Sequence, residues 1–345
     1  MHGPFFIVNP QSAGGATGRR WHKEILPRVA ATFPAARWVL TEAAGQAAAL
    51  ADRARAEGAG LVVAVGGDGT VHEVVNGLMG EFLGHGSAPL PGWQGPEEDR
   101  PGAGRSPAPE LAVPPEGSPS PLPALGIIPL GTGCDLVKTL TVPRDPGRAV
   151  DVLAAGRTLL VDICEISCVS AHGAPVRRYS INMCGCGLSG EVSARVNRPG
   201  GPRHGFLAFL LATLGAVVAH RPREVTISVD DGPPRRARLI VLFVCNGQYC
   251  GGGMRPGRDA RPDDGLLKVV EVGAMAVARI FTKLPRLYSG RVEGVPGVRV
   301  HQARKVEINS PEVALVDCDG EQPGRLPASY TVRPAALRVV VGEPA

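Results

Sequence analysis

The sequence predicts a two-domain fold: an N-terminal α/β domain with a parallel, doubly wound sheet, followed by a C-terminal antiparallel β-sandwich. Three observations lead to this expectation. The chain has 345 residues, of which 44% are hydrophobic, so it is long enough for two packed cores. Its first third alternates short apolar runs with helical patterns, whereas strand-like runs follow one another after Leu159. We expect the domains to comprise residues 1–150 and 151–345.

Four short apolar runs of the first domain have the length and branched composition of buried strands. They are FFIVN (5–9), RWVLT (37–41), LVVAV (61–65) and LGIIPL (125–130). Helical patterns separate them, and the segment after Thr70 repeats its apolar residues at the spacing of a helix packed on a sheet. Strands that alternate with helices pair in parallel, and such sheets bind ligands at the carboxyl ends of their strands.

Two stretches of the chain depart from these patterns. Residues 84–123 hold eleven of the 33 prolines, which predicts a disordered surface insertion, either a tolerated loop expansion or a recognition segment. The longest apolar stretch, Gly205–Ala219, has 15 residues, fewer than the roughly 20 of a membrane-spanning helix. It is expected to pack against the sandwich, or to line a lipid-sized pocket or touch a membrane; the sequence leaves these alternatives open.

Composition narrows the classes of partner. The net charge is +5, and no dense run of basic residues interleaved with aromatics is present, which argues against nucleic acid and fits an anionic partner such as a phosphate or a membrane surface. The first residues lack the pattern of a secretory signal, so we expect a cytoplasmic protein with eight reduced cysteines. Cys184 and Cys186 form a C-x-C without a second pair, which favours buried small side chains over a metal site.

A glycine-rich turn, VGGDGT, follows the third predicted strand and begins a helix. Backbone N–H groups at a helix start attract anions, and glycines allow a phosphate chain to approach the backbone closely. Asp68 suits such a site if a divalent cation, normally Mg²⁺, lies between its carboxylate and the phosphates. The turn alone is equally compatible with a tight strand-to-helix connection capped by an aspartate.

A second turn, PLGTGCD, repeats this construction after the fourth strand, and a loop of small residues, VNPQSAGG, follows the first. Turns at the ends of neighbouring parallel strands converge on one ligand. Neither turn matches the dinucleotide fingerprint or the P-loop, because no Lys-Ser or Lys-Thr follows the glycines. The sequence therefore predicts a phosphate-binding site that is neither a dinucleotide-binding turn nor a P-loop.

These motifs, followed in order by NGQYCGGGM, DDGLL and DCDGE, resemble the diacylglycerol kinase catalytic fold of lipid kinases, over about residues 5–341 except for the proline-rich insertion. The family includes bacterial diacylglycerol kinases, sphingosine kinases and ceramide kinases. The GGDGT motif alone is also similar to NAD kinases and phosphofructokinases. The resemblance implies that a nucleotide lies in the cleft between a phosphofructokinase-like α/β domain and the sandwich.

The resemblance also implies roles for individual residues. The positions that match nucleotide-binding positions of the family are Asn9, Thr41, Gly66, Gly67, Asp68, Gly69, Thr70, Gly131, Thr132, Gly133 and Asp135. Asp319 matches the general base that acts on the lipid hydroxyl, with Glu321 beside it and Asp68 orienting the phosphates through Mg²⁺. A structural Mg²⁺ of bacterial members corresponds to Asp264 and to the backbone carbonyls of Arg261 and Leu266. Without the other motifs, DCDGE alone would predict a solvated β-turn.

One position departs from the family. Cys134 stands where an asparagine is usual, and a thiol cannot replace the donors and acceptor of an amide. A bond to the nucleotide or to the loop backbone is then absent, which keeps open a lipid-binding protein with an inactive nucleotide cleft.

The function expected from these observations is an ATP-dependent, Mg²⁺-dependent lipid kinase that phosphorylates a primary hydroxyl of a diacylglycerol-like or sphingoid lipid. Its partner is a membrane lipid reached by peripheral contact. A soluble NAD-kinase-like enzyme is the alternative within the kinases. The sequence does not determine the lipid or the oligomeric state, for which a homodimer is one option.

Overall fold

The computed structural model describes residues 3–80, 122–197, 213 and 215–343. The predicted insertion at 84–123, except for its last two residues, and most of the apolar segment before His220 lie outside these ranges. No helix in the described ranges is long and apolar enough to cross a bilayer.

Each of the four predicted apolar runs of the first domain forms a strand. They are β1 (Phe5–Val8), β2 (Arg37–Leu40), β3 (Leu61–Gly66) and β4 (Ala124–Pro129). The strands pair in parallel in the order β2, β1, β3, β4. Their carboxyl ends therefore share one edge of the sheet, where the glycine-rich turns follow.

Helices connect and cover these strands. They are α1 (Ala16–Arg20), α2 (Leu26–Thr32), α3 (Gln46–Ala56), α4 (Asp68–Leu78), α5 (Leu136–Thr139) and α6 (Pro146–Ala155), with a π-helical turn (Trp21–Ile25) between the first two. The predicted apolar stripe of α4 is buried on the sheet: Val71, Val74, Val75 and Leu78 are at most 3% exposed. Asp145 caps α6, because its carboxylate accepts the Arg148 N–H at 2.8 Å.

The second half of the chain is mainly strands. They are β5 (Thr158–Val169), β6 (Pro175–Ser180), β7 (Met183–Gly187), β8 (Arg223–Val229), β9 (Arg235–Cys245), β10 (Leu267–Gly273), β11 (Val298–Ala303), β12 (Lys305–Asn309), β13 (Leu315–Cys318) and β14 (Glu321–Val340). Among the described residues, the helices α7 (Leu188–Val196) and α8 (Val277–Ser289) accompany them.

Two of these strands belong to both halves of the molecule. Strands β5 and β14 pair antiparallel along most of their length. One end of the pair lies beside β4, where Val339 pairs with Leu125, and contributes Val161 and Leu337 to the first core. The other end contributes Ile166 and Tyr330 to the second core. The predicted two-domain architecture is confirmed, whereas the boundary at residue 150 stays a prediction.

Candidate active site

The two glycine-rich turns pack directly against each other at the carboxyl ends of β3 and β4. The Leu130 N–H donates to the Gly66 carbonyl at 2.8 Å. A Cβ atom on Gly67 would lie 3.2 Å from the Cα of Gly131, and a Cβ on Gly131 would overlap the backbone of Gly67. Neither turn has space for a side chain at this contact, so the backbone itself forms the surface there.

Asp68 begins α4 inside this pair of turns. Its two carboxylate oxygens both lie 3.2 Å from the backbone nitrogen of Asp135, which donates to them. Burial and the nearby charge of Asp135 raise the pKa of Asp68 to about 6, in spite of the N–H groups that hydrogen-bond to it. The carboxylate oxygens of Asp68 are hard donors of the kind that a divalent cation prefers.

Asp135 ties the second turn to a glycine-rich loop of the other domain. Its carboxylate accepts the ammonium of Lys138 at 2.6 Å and the N–H of Gly252 at 2.7 Å. Asp135 is 3% exposed, so both of its carboxylate oxygens already have partners within the protein. Asp135, which was predicted to bind the nucleotide, thus connects the two domains through these hydrogen bonds.

The remaining predicted nucleotide-binding residues lie along the same sheet edge. Asn9 follows β1, and its amide donates to the Thr70 hydroxyl at 3.1 Å, beside Gly66. Thr41 follows β2, and its N–H donates to the Val8 carbonyl at 2.8 Å. Gly69, Thr132 and Gly133 line the cavity described below.

Asp319 lies in the turn after β13, with a left-handed φ of 49°. One carboxylate oxygen accepts the Ser180 hydroxyl at 2.7 Å together with the N–H groups of Asn182 and Met183. The other accepts the Ile181 N–H at 3.1 Å and faces the ring of His72. Burial alone would raise the pKa of Asp319, but the interactions with His72 and these donors outweigh it and hold the pKa below its usual range. The carboxylate is therefore ionised at neutral pH.

Two further carboxylates flank Asp319. Asp317 accepts the Ser193 hydroxyl at 2.8 Å and the Gly320 N–H at 3.1 Å, both on Oδ1. Burial, reinforced by the charge of Asp319, raises the pKa of Asp317 to about 7. Glu321 accepts from the Asn197 amide at 3.1 Å, its other oxygen lies 3.6 Å from where a Cβ of Gly69 would be, and burial raises its pKa. The acidic turn of the second domain thus reaches the start of α4.

A cavity of about 470 Å³ connects these features. Its polar end is lined by Asp68, Thr132, Asp135, Asp317, Asp319 and Glu321. Most of the remaining lining is apolar and comes from α7, β9 and α8, which contribute Val192, Ile240, Phe243, Ile280, Leu284 and Leu287. A cavity with one acidic end and a long apolar wall has the chemistry to hold a lipid whose polar group faces the glycine turns.

The residues expected to bind a structural Mg²⁺ lie elsewhere, in the loop before β10. The Arg261 guanidinium pairs with Asp263 at 3.3 Å, and one oxygen of Asp264 accepts the Leu266 N–H at 3.0 Å. Asp264 is exposed, and its other oxygen is a hard donor of the kind Mg²⁺ prefers, so the residue types fit the ion. A neighbouring carboxylate that the sequence did not indicate, Asp162, accepts the Gly265 N–H at 2.7 Å.

Cys134 adopts a left-handed conformation, with φ of 48°. Its thiol donates to the Gly131 carbonyl at 3.3 Å, within its own turn. Burial, together with the charge of Asp68, raises the pKa of this thiol to about 11. The cysteine therefore remains a neutral thiol, and its hydrogen bond to Gly131 stabilises the turn.

Several residues of the site were not identified from the sequence. His72 lies one helical turn after Asp68 and Asp317 lies two residues before Asp319, so helical and strand periodicity could have indicated both. Ser180 and the N–H groups of residues 181–183 carry no local signal, since only the fold brings them to Asp319.

Both halves of the chain match family models of known proteins. Residues 4–166 match the family model of the diacylglycerol kinase catalytic domain, and residues 182–341 match that of the YegS C-terminal NAD kinase beta sandwich-like domain. The diacylglycerol kinase of Bacillus subtilis strain 168 is 26% identical over 329 residues, which cover 94% of this chain and 91% of that protein. That of Staphylococcus carnosus strain TM300 is 26% identical over 333 residues, covering 94% and 90%.

Solved structures show the same fold. A crystal structure of a diacylglycerol kinase from Bacillus anthracis strain Sterne superposes with a TM-score of 0.64 at 20% identity, covering 99% of this chain and 97% of that one. The structure of yeast NADH kinase with NADH superposes with a TM-score of 0.50 at 10% identity, covering 99% and 83%.

Proposed function

The chain belongs to the diacylglycerol kinase catalytic domain family, and from this premise we propose that it transfers the γ-phosphate of ATP to a primary hydroxyl of a diacylglycerol-like or sphingoid lipid at a membrane surface. Membership makes it a lipid kinase, a phosphotransferase that acts on an alcohol group. The observation that carries the proposal is the meeting of both glycine turns with the acidic turn at one end of an apolar cavity.

The proposed roles follow from position. The turns at Gly67 and Gly131 have no side chains there, so their backbone N–H groups can approach the phosphates. Asn9, Thr41 and Thr70 form the rest of the nucleotide-binding surface. Mg²⁺ bound with the nucleotide would neutralise phosphate charge, and Asp68 would hold it. A second Mg²⁺ would be held by Asp264 and the carbonyls of Arg261 and Leu266.

The chemical step requires a proton acceptor at the acidic end of the cavity. The lipid hydroxyl oxygen attacks the γ-phosphorus, the bond to the β-phosphate oxygen breaks, ADP leaves with that electron pair, and the hydroxyl proton passes to a carboxylate. We assign this proton to Asp319, which is ionised and faces the cavity, with Glu321 beside it. Asp317 also lines this end of the cavity, and burial raises its pKa to about 7.

Location and architecture complete the proposal. We propose a cytoplasmic protein in peripheral contact with a membrane, where ATP and the lipid are both available. The first domain would be a doubly wound, phosphofructokinase-like domain over residues 1–150, and the second an antiparallel sandwich over residues 151–345. The parallel pairing of β1 to β4 and the antiparallel pairing of β7, β9 and β10 support this architecture.

The test is a transfer assay with γ-labelled ATP, Mg²⁺ and a panel of diacylglycerol, ceramide, sphingosine and NAD in mixed micelles. We expect label in a lipid, and its loss in Asp319→Ala. Label in NAD would instead support an NAD-kinase-like enzyme. Nucleotide-independent lipid binding without transfer would support an inactive nucleotide cleft.

A further inference from the structure

Three side chains of different chemistry meet behind the acidic end of the cavity. His72 comes from α4, Cys318 ends β13, and Asp319 follows it. All three side chains are buried. Their ligand atoms, which are Nδ1 of the imidazole, Sγ of the thiol and a carboxylate oxygen, all lie within 4.8 Å of one another. Imidazole, thiolate and carboxylate are the ligand types with which proteins bind Zn²⁺.

The spacing of these atoms fits a single central ion. Nδ1 of His72 lies 3.3 Å from Oδ2 of Asp319 and 3.9 Å from Sγ of Cys318. In a tetrahedral Zn²⁺ site with usual bond lengths, neighbouring ligand atoms lie roughly 3.4 to 3.6 Å apart. Three atoms with the observed separations can all lie within roughly 2.4 Å of one point, which is close to those bond lengths. Binding therefore requires only small movements of the side chains.

With the described residues, the sulfur of Cys318 makes only weak hydrogen bonds. It lies 3.9 Å from Nδ1 of His72 and 3.8 Å from the carbonyl oxygen of Tyr179, and a thiol is a weak donor. Burial and the charges of Asp319 and Asp317 raise the pKa of Cys318, so the thiol is neutral. A thiophilic cation can replace the thiol proton, because the thiolate is the stronger ligand.

We propose that His72, Cys318 and Asp319 form a binding site for Zn²⁺ or another thiophilic divalent cation, with the carbonyl oxygen of Tyr179 as a fourth ligand. On binding, the thiol releases its proton to solvent, and the neutral imidazole holds its proton on Nε2, so that the Nδ1 lone pair faces the ion. Asp319 lines the cavity, through which the ion can approach. Mg²⁺ prefers six oxygen ligands, so the cation that accompanies ATP does not compete for this site.

The expected consequence is inhibition of phosphate transfer, and this part of the inference rests on the proposed function. A carboxylate that is bound to a cation is a weaker base, so Asp319 would no longer accept the proton of the lipid hydroxyl. The ion would also join the two domains, because His72 belongs to the first and Cys318 to the second.

Titration with Co²⁺, a spectroscopic substitute for Zn²⁺, tests the site without any turnover. The full chain is first freed of metal with a chelator. We expect the visible bands of a tetrahedral ion and the near-ultraviolet charge-transfer band of a thiolate ligand, both of which Zn²⁺ should abolish by displacement. Cys318→Ser should lose the charge-transfer band, and His72→Asn should weaken Zn²⁺ binding at least about tenfold. A wild-type chain without a thiolate band would overturn the proposal.

Cys250→Ser is the matched control, because Cys250 is less buried than the other described cysteines and is the more accessible thiol. This variant should keep the charge-transfer band. Loss of the band in Cys250→Ser and its retention in Cys318→Ser would assign it to adventitious binding and overturn the proposal. Circular dichroism checks that each variant is folded, and Cys318→Ala provides a second test of the position if serine is not tolerated in the core.

The transfer assay tests inhibition separately. With MgATP in excess, Zn²⁺ at a concentration that displaces Co²⁺ should reduce transfer by the wild type at least about tenfold. Transfer by Cys318→Ser, whatever its level, should resist this concentration. A thiolate band together with uninhibited transfer would refute the inhibitory role. A thiolate band in a chain that transfers no phosphate would support the metal site and contradict the proposed function instead.

Discussion

The imidazole Nδ1 of His72 lies 3.3 Å from Oδ2 of Asp319, and the two side chains are only 8% and 4% exposed. His72 belongs to the helix that begins at the first glycine turn, whereas Asp319 belongs to the acidic turn of the other domain. One turn further along α4, the Asn76 side chain donates to the Tyr179 carbonyl at 2.9 Å and accepts the Tyr179 N–H at 3.0 Å. The helix on the nucleotide side is therefore held against the strand that precedes the N–H groups bound to Asp319.

Replacement of Asp319 by Asn is expected to reduce both stability and phosphate transfer. An amide nitrogen would face N–H donors where a carboxylate oxygen accepts them now, which should lower the free energy of unfolding by about 2 kcal/mol. Urea unfolding and the transfer assay measure the two effects. Asp259→Asn is the matched control, because Asp259 is exposed and also has a left-handed φ, 64°. A wild-type unfolding midpoint for Asp319→Asn would contradict the hydrogen bonds described here.

Gly131→Ala should weaken nucleotide binding at least about tenfold, because the new Cβ would overlap the backbone of Gly67 and force the two turns apart. Calorimetric titration with ATP measures the affinity. Gly60→Ala is the control, since a Cβ at Gly60 meets no atom within 4 Å. If both variants bind ATP like the wild type, the contact between the turns does not shape the nucleotide site.

The stability effect of Asp317→Asn should depend on pH. The pKa of Asp317 is about 7 in the folded protein and about 3.9 in an unfolded chain, so folding favours the protonated form. That contribution is complete below about pH 4 and is lost as the pH rises to 7. The difference in unfolding free energy between the variant and the wild type should therefore shift in favour of the variant as the pH rises over this range, by on the order of 4 kcal/mol at pH 8. Urea unfolding at several pH values checks this, and a difference independent of pH would refute the raised pKa.

Substitutions at Cys134 should separate backbone conformation from side-chain chemistry. Asparagine tolerates a left-handed backbone, so Cys134→Asn should be at least as stable as the wild type, whereas the branched side chain of Cys134→Val should reduce stability by about 1–2 kcal/mol. Thermal unfolding compares the two. The native thiol should also react slowly with iodoacetamide at pH 8, because its raised pKa keeps it protonated. Equal stability of the two variants would show that the left-handed conformation does not matter.

The parts of this fold that the sequence predicts are those with local signals. Strands β1 to β4 are short, continuous apolar runs, and the glycine turns after them follow from parallel pairing. In contrast, β14 contains Pro323, Gly324, Pro327 and Pro334 within its 20 residues, which predicts interruptions rather than one long strand. Its pairing with β5 accommodates them through register shifts. The partners of Asp319 are similarly out of reach of sequence patterns, because Ser180 lies 139 residues away.

Because β5 and β14 run side by side from the first core into the second, the connection between the domains is a hydrogen-bonded ribbon and not a flexible linker. Stabilisation of one end of this strand pair should therefore also stabilise the other end. A nucleotide that contacts only the first domain should then slow amide hydrogen exchange as far as Tyr330 in the second, and both cores should melt in one cooperative step.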